Sequence, residues 1–251
     1  MSNSDYAEKS EMKKTAPGLY QVLGAVVLDV VLVGVFFFIA MMLITIGMLI
    51  SGNATENQGQ LANLLMGISA LYMAILALWA WRGRSLVLPV AQYETRKNMA
   101  LAVMTGFALF LFMLSMSSLL DAGGIQIKPG NQILLEYLNR RWPLIVGLYA
   151  VLIAPLFEEL FFRKQIFARL KSANHAFLGY VISSVLFALM HEPSPTQGLP
   201  KWILMLAMYG FMGATFAWVY RKTGKLWPAV LAHATNNLLA MLALSLEKTM
   251  S

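Results

Sequence analysis

The sequence predicts an all-α membrane protein, a polytopic transmembrane helix bundle of about seven spans. Of 251 residues, 59% are apolar and only 12% are charged, against about 45–50% and about 25% in a soluble domain. Mean hydropathy is +0.65. The apolar residues are gathered into stretches that meet the ~20 residues a helix needs to cross a bilayer. Too few charges separate them to cover a globule in water, so lipid must solvate much of the surface.

Taken in order, residues 1–16 are polar and of mixed charge and read as a disordered cytoplasmic tail. The run from Leu19 to Ile50 reads as the first span. It is far longer than the ~7–15-residue core of a cleaved signal peptide, and no small-residue cleavage pattern closes it. Further spans are expected at 61–81, 98–120, 143–162, 174–191, 201–220 and 227–246. The linkers 51–60 (SGNATENQGQ) and 121–142 are polar and rich in Gly, Asn and Gln, as loops are. The chain thus divides into N-terminal transmembrane helices (17–125) and a second group of spans (140–248), with neither internal repeats nor low-complexity tracts. Asn53-Ala54-Thr55 matches a glycosylation sequon, a pattern frequent by chance.

With seven spans and the N-terminus inside, fourteen Lys and Arg residues fall in inner segments and five in outer ones. That bias orients the chain with its N-terminus cytoplasmic. The same placement disposes of nucleic acid as a partner. The net charge of +7 sits in short loops rather than in a basic stripe interleaved with aromatics. Cysteine is absent, which removes disulfides, thiolate metal sites and a thiol nucleophile.

Ionisable residues at span depth are expensive, and each is a functional candidate. They concentrate in the C-terminal half. The fourth span ends APLFEELFFRKQ, with Glu158, Glu159 and Arg163; the fifth ends VLFALMHEP, with Phe187 and His191; the seventh, WPAVLAHATNNLLAML, carries His233 and Asn237. Glu158 and Glu159 are adjacent, so on an α-helix they point about 100° apart and are not expected to face one spot. Glu159 and Arg163 share a face and can pair, which leaves Glu158 for chemistry. His233 and Asn237 are likewise one turn apart.

If the fourth and fifth helices turn near Asn174, Glu158 lies 16 residues before the turn and His191 lies 17 after it. At 1.5 Å per residue both reach about 25 Å from the turn. Pro155 would loosen the backbone beside Glu158 and could admit water. For His233 to join them, either the 192–200 loop or the 221–226 turn must dip into the membrane, and the sequence does not say which.

Plainer readings stand beside these. Glu158, Glu159 and Arg163 could be interfacial charges, His191 a capping histidine, and His233 with Asn237 a polar contact between helices. Asp29, in the first span, has no evident partner and reads as structural or interfacial.

The ordered set resembles the CAAX-protease and bacteriocin-processing (CPBP) membrane peptidases, which include the type II CAAX prenyl endopeptidases. Their pattern EExxxR, FxxxH and HxxxN is met by Glu158-Glu159-Leu160-Phe161-Phe162-Arg163, by Phe187 through His191, and by His233 through Asn237. The approach TGKLWPAVLAH at 223–233 is also similar, and the resemblance covers about residues 140–246. It implies that 140–248 form a catalytic core and that the reaction is endoproteolysis of a small or membrane-bound peptide. Glu158 would be the general base and His191 its partner in activating water. His233 and Asn237 would stabilise the oxyanion, with Glu159, Arg163 and Phe187 in support. Such hydrolysis needs a base poised near neutrality and donors where negative charge develops.

The favoured scheme requires no cofactor. Zinc on Glu158, His191 and His233 is the alternative, since one carboxylate and two imidazoles leave a fourth position open. A multi-pass protein of the bacterial plasma membrane acting in CAAX-type processing, bacteriocin maturation or self-immunity fits the compact length. Two rivals remain: a catalytically inactive immunity or scaffold protein that binds a partner, and a small transporter using Glu158 and the histidines as a proton relay.

Overall fold

The computed structural model describes residues 18–31, 92–127, 139, 143–192 and 194–250, and the regular structure among them is helical. In chain order these are α1 (Leu19–Val31), α2 (Gln92–Ala122), a long third helix α3, α4 (Ala176–His191), α5 (Leu199–Thr223) and α6 (Leu226–Met250). Among the described residues, three stretches are long and apolar enough to cross a membrane: Arg96–Ala122, Leu199–Thr223 and Leu226–Leu246. The chain is therefore an integral membrane protein.

The expected spans 98–120, 201–220 and 227–246 fall on α2, α5 and α6. The span expected at 174–191 falls on α4, which has only 16 residues and is short for a full crossing. The span at 61–81, most of the one beginning at Leu19, the 1–16 tail, the 51–60 linker and the sequon at Asn53 lie outside the described residues.

The span expected at 143–162 falls on α3, a continuous helical course from 143 to 172 that is not uniformly α. The α segments Pro143–Leu148, Ala154–Glu159 and Ala168–Ser172 are joined by π-helical stretches at Tyr149–Ile153 and Leu160–Phe167. The Ala154 N–H reaches back five residues to the Tyr149 carbonyl, and the Ala168 N–H does the same to Arg163. The first wide turn runs into Pro155, which has no N–H to donate. The Ala150 carbonyl therefore has no helical donor: the α-type partner, Ala154, is engaged at Tyr149, and the π-type partner is proline.

The turn between α3 and α4 lies where the sequence put it. Asn174 adopts φ of 64°, its N–H bonds the Lys171 carbonyl, and the His175 N–H bonds the Leu170 carbonyl at 2.8 Å. This paired closure ends a helix at a left-handed residue, for which Asn is tolerated. Gly224, with φ of 67°, closes α5 before α6 by a single bond from its N–H to the Tyr220 carbonyl.

Helix α6 packs on α2, α3 and α5, and α4 packs between α3 and α5. Association in lipid depends on close fit rather than on hydrophobic exclusion, and small residues provide it. A Cβ on Gly106 of α2 would lie 2.3 Å from the Ala232 carbonyl oxygen of α6. On α5, a Cβ at Gly213 would lie 3.1 Å from the Ser184 Cα. The core these contacts enclose is aromatic: Phe161, Phe162, Phe187 and Phe216 are buried together.

Candidate active site

Of the two adjacent glutamates, Glu159 is the buried one. Its carboxylate accepts from Arg163 Nε at 2.7 Å and from the second guanidinium nitrogen at 3.2 Å, a bidentate pair within one helix. Neither side chain is exposed at all. A buried ion pair needs further hydrogen bonds to support it. Arg163 also donates to Ser183 Oγ at 2.6 Å, and Ser183 donates to the Phe162 carbonyl at 3.0 Å. The guanidinium carbon lies 5.5 to 6.0 Å from the ring centroids of Phe162, Phe187 and Phe216, within cation–π range.

His233 of α6 joins this layer through Nδ1, 3.1 Å from Glu159 Oε1. Because a carboxylate only accepts, Nδ1 carries the hydrogen and Nε2 faces the other way. His191 is fixed likewise: its Nδ1 lies 2.8 Å from the Phe187 carbonyl, again an acceptor, so its Nε2 is also turned outward. Both Nε2 atoms are turned towards Glu158. Glu158 Oε2 is 3.7 Å from His191 Nε2 and 3.9 Å from His233 Nε2, and it makes no hydrogen bond among the described residues. His233 therefore lies between the two carboxylates, one at each ring nitrogen. The adjacent glutamates thus face different places, as their angular separation implies, and meet only through opposite nitrogens of one imidazole.

Asn237 is directed elsewhere. Its amide nitrogen donates to the Ala150 carbonyl at 2.9 Å and its oxygen accepts from Asn236. It thus supplies the donor that the π turn and Pro155 deny to Ala150. His191 stacks on Tyr209, ten residues inside α5 and so about 15 Å along it. Trp202 Nε1 donates to the Glu192 carbonyl at 2.9 Å. Glu192 therefore lies beside the first turns of α5.

Several partners were not anticipated. Asp29 pairs with Arg169 of α3. Ser183 was readable in principle, since Ser183, Phe187 and His191 recur every four residues on one face of α4. Tyr209 and Phe216 carried no signal in an evenly apolar span. A groove of about 370 Å³ between α4 and α5, lined by Tyr180, Ser184, Ala188, Leu206 and Gly210 among others, contains none of Glu158, His191 and His233. Those three residues meet instead at the junction of α3, α4 and α6.

This junction is a carboxylate–histidine centre inside a membrane helix bundle. Residues 140–239, which carry all three motifs, match the family described as type II CAAX prenyl endopeptidase Rce1-like; the resemblance read from the motifs is shown for this segment. YdiL of Bacillus subtilis (strain 168) is 33% identical over 95 residues, 38% of this chain and 35% of that protein. UPF0177 protein YxdF of Lactococcus lactis subsp. lactis (strain IL1403) is 37% identical over 98 residues, 39% of this chain and 49% of that protein. Membrane-embedded CAAX protease MroQ of Staphylococcus aureus (strain USA300) is 28% identical over 153 residues, 57% of this chain and 58% of that protein. The matches thus span from about a third to under two thirds of these relatives' length. No solved structure gives a significant match.

Proposed function

We propose that this protein is an intramembrane endopeptidase that hydrolyses a peptide bond in a membrane-bound or small peptide substrate. One observation carries the reading: a carboxylate oxygen and two imidazole nitrogens, none of them holding a hydrogen when the rings are neutral, are turned towards one point at separations of 3.7 and 3.9 Å. These spacings are too long for direct bonds. Acceptors so placed are satisfied by a molecule with two hydrogens to donate, and water between groups at such distances is the common solution.

In the scheme that follows, Glu158 takes a proton from that water while His191 accepts its other hydrogen. The water oxygen adds to the substrate carbonyl carbon. The proton passes to the leaving nitrogen as the carbon–nitrogen bond breaks. Before it reaches the leaving nitrogen, that proton can be shared from Glu158 to His233 Nε2 at 3.9 Å, which then donates to the oxyanion, with the Glu159 carboxylate at its other nitrogen. The second amide hydrogen of Asn237 is the remaining candidate donor.

Zinc on Glu158, His191 and His233 would use the same donor atoms. The scheme above routes no step through a metal. The Rce1-like match and the name of MroQ support a CAAX-type reaction, and maturation or self-immunity towards a bacteriocin is the alternative role. The bacterial sources of the three relatives support a bacterial plasma membrane, and the Lys and Arg bias supports a cytoplasmic N-terminus.

The test compares peptide termini in membranes from cells expressing wild type and Glu158→Gln at matched levels. Termini that appear only with wild type establish proteolysis, and adding a chelator tests the metal. Matching termini together with a phenotype on deletion of the whole protein would replace the peptidase with a binding scaffold.

A further inference from the structure

We infer that Tyr209 and Phe216 of α5 are positioning residues that aim the two histidines at Glu158; the inference rests on the peptidase reading of that centre. No motif residue lies on α5, yet each histidine has one of its rings as a partner. Tyr209 stacks on His191 with centroids 4.7 Å apart and planes 21° apart. Phe216 stacks on His233 at 4.4 Å and 16°. The two rings are seven residues apart, two helical turns, and so occupy one face of α5.

The arrangement answers a specific mechanical problem. Each imidazole is tethered through Nδ1, His191 to the Phe187 carbonyl and His233 to Glu159. One hydrogen bond fixes where a ring nitrogen sits, but it leaves the ring free to swing about that bond. The χ2 torsion resists this weakly, because sp³–sp² torsions are broad. A flat ring held nearly parallel to the imidazole removes that swing. With tether and stack together, Nε2 is confined to a direction, and in both cases that direction is Glu158 Oε2. Both clamps come from one helix, so α5 sets the two aims jointly.

The chain has only three histidines, so side-chain resonances of the full-length protein in detergent can separate His175, His191 and His233. In wild type, ring protons of His191 and His233 are shifted by the neighbouring aromatic ring. Phe187 also lies against both imidazoles, at 4.4 Å from His191 and 5.8 Å from His233, so Tyr209→Leu should reduce the shift at His191 to the share from Phe187 and leave that at His233, which also verifies the fold; Phe216→Leu should do the reverse. In the membrane assay, Tyr209→Leu should slow formation of the new termini about ten- to a hundredfold, the scale on which small misplacements act. Tyr209→Phe, which keeps the ring, should stay within about threefold of wild type.

A Tyr209→Leu protein that cleaves normally, or an unchanged His191 resonance, overturns the inference. So does Tyr209→Phe failing as badly as Tyr209→Leu, which would assign the role to the hydroxyl. Failure of the peptidase reading looks different: wild-type membranes themselves then show no new termini.

Discussion

Glu158 and Glu159 are neighbours in sequence and opposites in structure. Glu159 is fully buried and its acceptor capacity is used by Arg163 and His233. Glu158 retains 16% exposure and faces two nitrogens without bonding either. Identical side chains therefore do different work because of the partners that successive positions on α3 meet. The saturated carboxylate is a fixed anion that holds α3, α4 and α6 in register; the unsaturated one has capacity left for a substrate or water.

The contrast can be broken most forcefully at Arg163. Arg163→Met leaves the Glu159 charge buried beside one imidazole, and breaking a buried pair from one side costs about 3–5 kcal/mol. The thermal transition in detergent should fall steeply, and Arg163→Met combined with Glu159→Gln should recover part of the loss. Glu158→Gln should behave oppositely. It should leave the same transition within the small range of a change that breaks no hydrogen bond, while termini formation falls by about 10²–10⁴-fold, the scale of a lost general base. If both variants move stability alike, the division of labour between the glutamates is wrong.

Asn237→Ala sits between these extremes. It orphans the Ala150 carbonyl, at about 1–3 kcal/mol for a buried group, and local hydrogen exchange around Tyr149–Ile153 should rise. Smallest is Asp29→Asn. The Arg169 side chain is 32% exposed, and screened pairs contribute about 0–1 kcal/mol, so the melting shift should be slight.

The sequence was most informative where local spacing decides the outcome. The Glu159–Arg163 pair follows from four-residue spacing on a helix, and the common depth of Glu158 and His191 from residue counts on either side of Asn174. Tertiary features were opaque. The π turns of α3 leave no periodicity signature; Pro155 hinted at a disturbed backbone but not at the Asn237 amide that repairs it. His233 could not be placed beside Glu158 from local spacing. The aromatic partners on α5 were hidden because in an apolar span any Phe or Tyr reads as lipid-facing or core. The spans outside the described residues stay as the hydropathy pattern gives them.

The brevity of α4 carries a consequence for the surrounding lipid. Sixteen residues span about 24 Å, less than the ~30 Å hydrocarbon thickness of a typical bilayer. Mismatch of this kind is relieved when the bilayer thins locally or flanking polar segments are drawn inward, and here the flanking segment begins one residue after His191. For α4 crossing the bilayer, shorter acyl chains should ease the access of water to that histidine. Reconstitution in short-chain and long-chain phospholipids would reveal it as a change in turnover with the protein itself unaltered.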